Sequence, residues 1–139
     1  DRFVFRLTPL IDIARDHGIR LALETDLPAE EFSELLECFP LDVVTVNYDT
    51  GNSAAMGYCP AYELECYGDR ITDIHIKDRK YQGGSVILGD GDVDFDGFFE
   101  ELKKYDFEGP FILQAYRDEE GVGIFRQQIR WLQERYCCA

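Results

Sequence analysis

The chain has 139 residues, with 14 Lys plus Arg against 28 Asp plus Glu and a net charge of −14, a length that fits one domain of roughly 100–200 residues. That charge repels phosphate backbones and anionic membrane surfaces, no basic cluster offsets it, and the longest apolar runs are too short for a bilayer, so neither nucleic acid nor membrane is an expected partner. Five cysteines (Cys38, Cys59, Cys66, Cys137 and Cys138), odd in number and without a C-x-x-C spacing, fit free thiols in a cytoplasmic protein better than a disulfide frame or a structural zinc site.

In chain order, Leu7, Leu10, Ile11 and Ala14 fall at helical spacing within residues 3–17, and Gly18 stands where a helix ends. A short strand-like run, Ile19 to Glu24, follows. Pro28 opens a second helix with Phe32, Leu35, Leu36 and Phe39 at i, i+3, i+4 and i+7, and Leu41 to Val46 reads as a second strand. Pro60 starts a short helix through Leu64 and Tyr67 that stops at Gly68. The third strand is ITDIHIKDR, residues 71–79, and a Gly-rich loop from Gln82 to Gly91 comes after it. Asp94 or Asp96 caps a helix burying Phe98, Leu102 and Tyr105. Gly109-Pro110 punctuates, Phe111 to Ala115 makes the fourth strand, and a last helix carries Phe125, Ile129, Leu132 and Tyr136 on one stripe. Helix and strand thus alternate four times before a closing helix, the pattern of an α/β fold with a parallel sheet covered by helices, either a barrel or a doubly wound sheet.

The third strand poses the functional question. Period-two geometry places Asp73, His75 and Lys77 on one face and Thr72, Ile74 and Ile76 on the other. Every strand ends in a polar group: Glu24, Asp49, His75 and Gln114. Glu24 to Asp49 is 25 residues and Asp49 to His75 is 26, about one strand-helix unit, whereas His75 to Gln114 is 39 because the Gly-rich loop intervenes. These residues therefore occupy equivalent points of successive units, at the strand ends where parallel α/β folds bind ligands. Two carboxylates and an imidazole converging there suit one divalent cation, Mn²⁺, Co²⁺, Mg²⁺ or Zn²⁺, with the Gln114 amide oxygen as a weaker fourth ligand.

With these motifs in view, the chain resembles the C-terminal half of the xylose isomerase-like TIM barrels, the sugar-phosphate isomerase/epimerase group that also includes endonuclease IV. The resemblance runs from LALETD to LQAYR, with DTGN, HIKD and LGDGDVDF as its most specific pieces. It implies a TIM-barrel-type repeat comprising strands five to eight of an eight-stranded barrel, residues 1–139 forming one half-domain. It also implies a metal held by Glu24, Asp49 and His75, and a sugar or sugar phosphate converted through an enediolate. Glu24 becomes the candidate base, Lys77 orients an oxygen or pairs with Asp73 or Asp78, and Glu30, Asn52 and Arg117 are candidate substrate contacts. Two departures stand out. Gln114 occupies the position of a second glutamate and cannot shuttle a proton, and Asn52 replaces a histidine often found after the aspartate.

Asp92-x-Asp94-x-Asp96-Gly97 imitates the opening of a calcium loop, but its twelfth position is Lys103 and helix follows too soon, so an acidic lid and helix cap is the better reading. The glycines at 83, 84, 89 and 91 match no phosphate-cradling motif and suggest loop flexibility instead. An endonuclease IV-like nuclease conflicts with the charge and with only two histidines; a catalytically degenerate sugar-binding barrel is the alternative that Gln114 favours. The chain begins with Asp1, has no secretory signature, and carries four of a barrel's strands, so a longer parent is expected. Its open sheet edges call for the missing N-terminal half-barrel or a homodimer partner.

Overall fold

The computed structural model describes residues 2–119 and 121–136. Four strands, β1 (Leu21–Leu23), β2 (Val44–Asp49), β3 (Ile71–Ile76) and β6 (Phe111–Leu113), form one parallel sheet in the order β1-β2-β3-β6. Helices α1 (Arg2–Asp16), α2 (Ala29–Glu37), α4 (Pro60–Tyr67), α5 (Phe95–Leu102) and α6 (Val122–Tyr136) accompany it, with a short α3 (Thr50–Met56) directly after β2. The result is part of a barrel wall. Among the described residues its outer strands β1 and β6 each have a neighbour on one side only, and Phe111 and Ile112 of β6 stand 45% and 42% exposed.

The two faces of the wall differ as strand parity requires. Val44, Val46, Tyr48, Ile74 and Ile76 are buried in one hydrophobic cluster with Phe32 and Leu36 of α2, Leu64 of α4 and Phe98 of α5. Tyr48 and Phe98 stack with ring centroids 5.2 Å apart. Truncating a fully buried ring such as Phe98 to alanine costs about 3–5 kcal/mol. Thr45, Asn47, Asp49, Asp73 and His75 belong to the opposite parity.

Several expected boundaries move. Leu41–Val43 is turn, so β2 starts later and runs through Asp49 itself. The unanticipated α3 lacks a large apolar stripe; the Asp49 carboxylate caps it, accepting from Asn52 N at 2.8 Å, and Gly57 at φ +75° ends it. Leu10, expected in the core, is 49% exposed, because α1 buries only Ile11 and Ala14. The buried stripe of α6 is Ile124 and Gln128, with Phe125 39% exposed. A hydrophobic count passes over Gln128, yet its amide accepts from Leu88 N and donates to Tyr116 O, seating the helix on the Gly-rich segment.

That segment also differs from a plain loop. Asp78–Arg79 (β4) pairs antiparallel with Ser85–Val86 (β5). Thr72 departs from strict alternation, because the β2–β3 register jumps from Val46↔Ile71 to Asn47↔Asp73 and leaves Thr72 as a bulge. Its hydroxyl consequently joins the polar face, 2.8 Å from both Thr45 Oγ1 and Asp73 Oδ2.

Candidate metal and sugar site

Strand ends bring the site together. Glu24 follows β1, Asp49 closes β2 opposite His75 in the ladder, and Gln114 follows β6, its N–H bonded to Ile76 O at 2.9 Å. One ligand atom each from Glu24, Asp49 and His75 lie within 4.8 Å of one another. His75 Nδ1 is 3.3 Å from Glu24 Oε2 and 3.8 Å from Asp49 Oδ2. Gln114 Nε2 lies 3.3 Å from the same imidazole nitrogen, so all four strand-end residues meet.

Burial grades across the cluster. The Asp49 side chain is 1% exposed, His75 17% and Glu24 34%, so the cluster opens to solvent on the Glu24 side. Asp49 Oδ1 is spent on the α3 cap, but Oδ2 is buried with no hydrogen-bond partner among the described residues, as is Asn47 Oδ1. A buried carboxylate oxygen with no donor is costly unless something positive completes it. Lys77 supplies charge at 3.6 Å, an ion pair longer than a hydrogen bond. Two carboxylates, one of them with an uncompleted buried oxygen, and one imidazole are a donor set that fits a divalent cation.

The other expected residues separate. Lys77 pairs with Asp49 rather than with Asp73 or Asp78, because Thr50 Oγ1 clasps the Lys77 backbone at both N–H and C=O and aims its side chain over α3. Asp78 is instead buried and turned to the Gly-rich segment, where it accepts from Gly89 N, Gly91 N and Val93 N at 2.9, 2.8 and 3.3 Å. A Cβ on Gly91 would lie 1.7 Å from Asp78 Oδ1. Gly91 therefore permits close approach of the carboxylate, while Gly89, at φ +92°, makes room for the Trp131 ring, 2.9 Å from where a Cβ would stand, so neither glycine marks looseness.

Asn52 joins the site through Glu24, donating from Nδ2 to Oε1 at 2.9 Å. Glu30 lies in the first turn of α2, exposed, where Tyr62 donates to it at 2.7 Å and holds its carboxyl below the ordinary value. Arg117 is exposed beyond β6. Neither belongs to the three-residue cluster. Cys38, Cys59 and Cys66 are free thiols, while the Cys137-Cys138 pair lies outside the described residues.

Three contributors escaped the sequence reading. Asn47 Nδ2 donates to Glu24 Oε2 at 3.0 Å, a role its shared parity with Asp49 hinted at. Arg79 bonds the Asn52 amide oxygen at 2.9 Å. Behind β2, Glu63 is 4% exposed and accepts from Tyr48 Oη at 2.9 Å, Tyr67 Oη at 3.0 Å and Ser53 Oγ. Burial pushes the Glu63 carboxyl up, while its three hydroxyl donors pull the other way. In sequence Glu63 looks like an ordinary first-turn helix acid.

Comparison with known proteins agrees with the barrel wall. The model of the xylose isomerase-like TIM barrel family matches residues 1–135. An inosose dehydratase of Geobacillus kaustophilus is 32% identical over 108 residues, 65% of this chain and 35% of that protein. Among solved structures, the IOLI protein with a bound zinc atom superposes with a TM-score of 0.73 at 23% identity, over 96% of this chain and 55% of that one. A D-allulose 3-epimerase from Methylomonas sp., solved with D-allulose, gives 0.71 at 24% identity, over 96% and 54%. The chain thus spans about a third to a half of the length of such proteins. No helix among the described residues is long and apolar enough to cross a membrane.

Proposed function

We propose that this chain, which belongs to the xylose isomerase-like TIM barrel family, is the C-terminal half-barrel, strands five to eight, of a divalent-metal-dependent isomerase or epimerase acting on a sugar or sugar phosphate. The convergence of Glu24, Asp49 and His75 around a buried, uncompleted Asp49 oxygen carries this reading. The sugar epimerase and the zinc-bearing protein among its structural neighbours support the same type of chemistry. The open edges at β1 and β6 suit closure by an N-terminal half-barrel.

Glu24, Asp49 and His75 would hold the cation, with Gln114 as a fourth ligand once its amide turns its oxygen inward. A bound divalent ion supplies Lewis-acid stabilisation of the negative charge that develops on the substrate oxygens. Glu24 is the most exposed carboxylate of the cluster and the base that removes the proton alpha to the sugar carbonyl, which leaves an enediolate. Lys77, with its ammonium 3.6 Å from Asp49 Oδ2, adds positive charge beside the cluster. Gln114 can orient a hydroxyl but has no proton to exchange, so return of the proton falls to Glu24 or to a group on the other half-barrel.

The single carboxylate base also favours a second reading, dehydration of a keto-sugar, in which Glu24 takes the same proton and passes it to a neighbouring hydroxyl, whose C–O bond breaks so that it departs as water; the inosose dehydratase relative supports it. Incubating the full-length protein with Mn²⁺ and a panel of ketoses, their phosphates and inososes in deuterated water tests both. Deuterium incorporation that chelator and Glu24→Gln abolish, by about 10²–10⁴-fold for loss of a general base, supports the proposal. A new stereoisomer marks epimerisation and loss of water marks dehydration. Metal binding without any exchange would reduce the chain to a sugar-binding barrel.

A further inference from the structure

We propose that Arg79 is a positioning residue that sets Glu24 through the Asn52 amide, an inference that rests on the cation site assigned above. The Arg79 guanidinium is gripped at its far side by one backbone carbonyl, with Nε and Nη2 donating to Gly83 O at 3.1 and 2.8 Å. Its remaining Nη1 donates to Asn52 Oδ1 at 2.9 Å. Arginine only donates and an ionised carboxylate only accepts. With the amide oxygen bound to Arg79, the Asn52 NH₂ is forced toward Glu24, where it donates to Oε1 at 2.9 Å while Asn47 donates to Oε2 at 3.0 Å. Asn52 therefore converts a fixed cation into a donor aimed at a ligand oxygen.

The backbone is shaped around this relay. A Cβ on Gly51 would lie 3.1 Å from Cγ of Arg79 and 2.8 Å from Cγ of Lys77, so glycine opens the path by which both stems cross the start of α3. The β4–β5 pairing places Arg79 opposite Ser85 and turns the chain back to bring Gly83 against the guanidinium. DTGN and HIKDR are thus two halves of one device: Asp49 faces Lys77, Gly51 clears both cations, and Asn52 receives Arg79. Each Glu24 oxygen accepts one amide N–H and keeps lone pairs for a cation. Without Arg79 the amide is free to turn its oxygen toward Glu24 and push the carboxylate away.

Mn²⁺ affinity of the full-length protein, titrated by electron paramagnetic resonance, tests the relay in wild type, Arg79→Met, Asn52→Ala and the double variant, with thermal unfolding to confirm folding. Outer groups that orient ligands typically contribute about 10–100-fold to affinity. Either single variant is expected to lose that much and the double variant no more, because both break the same chain of hydrogen bonds. Additive losses, or unchanged affinity in Arg79→Met, would overturn the role of Arg79 alone. If Arg79→Met does not fold, Asn52→Ala with wild-type affinity overturns the relay and the expected loss supports it. Failure of wild type itself to bind Mn²⁺ overturns the cation site first and the relay with it.

Discussion

Two buried carboxylates flank β2, and they are treated in opposite ways. Glu63, behind the strand, receives three hydroxyl donors, from Tyr48, Ser53 and Tyr67. Asp49, one residue after Tyr48 and facing the other side, keeps Oδ2 without a hydrogen bond and shares its surroundings with Glu24, His75 and Lys77. Burial alone does not distinguish them, since they are 4% and 5% exposed. Completion does. A carboxylate whose lone pairs are filled by its own fold secures the junction of β2, α3 and α4, whereas one left incomplete beside other ligand-type groups is the kind of group that the proposed cation would complete.

The contrast breaks most sharply at Asp49. Asp49→Ala is expected to abolish measurable Mn²⁺ binding in calorimetry while costing only about 1 kcal/mol of stability, the worth of an N-terminal helix cap. Glu63→Ala should do the reverse. It strands three hydroxyls at about 1–3 kcal/mol for each buried group left unsatisfied, so denaturant melts should show a loss of several kcal/mol, with Mn²⁺ still bound by the folded protein. Adding Mn²⁺ at about a hundredfold over its Kd should raise stability by about 2.7 kcal/mol in wild type and Glu63→Gln, but not in Asp49→Ala.

The smallest effect is the pH dependence that Glu63 contributes. Its folded pKa lies above the ordinary carboxylate value, so between the two values the folded state binds the proton more tightly than the unfolded chain. Stability from this group is full below the unfolded pKa and falls as pH rises through the folded one. Urea melts across that range should show a decline in wild type that Glu63→Gln lacks. An identical slope in both would assign the dependence to other groups.

The features legible in the sequence were those written in local periodicity. Leu7 to Ala14, Phe32 to Phe39 and Phe98 to Leu102 announce helices because apolar residues recur at helical spacing, although only part of the α1 stripe is covered. Ile71 to Ile76 announces a strand by alternation. Even spacing of Glu24, Asp49 and His75 announced that their side chains would meet, because a repeated strand-helix unit of constant length brings equivalent positions to the same height. Gln114 was found the same way despite the inserted segment.

Only the tertiary structure decided the rest, and the reason in each case is a contact between distant residues that no local pattern encodes. Gln128 is core because Leu88 and Tyr116 reach it, Thr72 turns inward because one residue is inserted into the β2–β3 register, and Asp78 faces the Gly-rich segment because three amides converge on it. Likewise, Glu63 differs from any first-turn acid only through hydroxyls contributed by β2, α3 and its own helix. Residue type and spacing determined which groups could meet at the strand ends. Which lone pairs the fold fills, and which it leaves open, depends on packing in three dimensions, where a single hydrogen bond from a far part of the chain separates a completed acid from an uncompleted one.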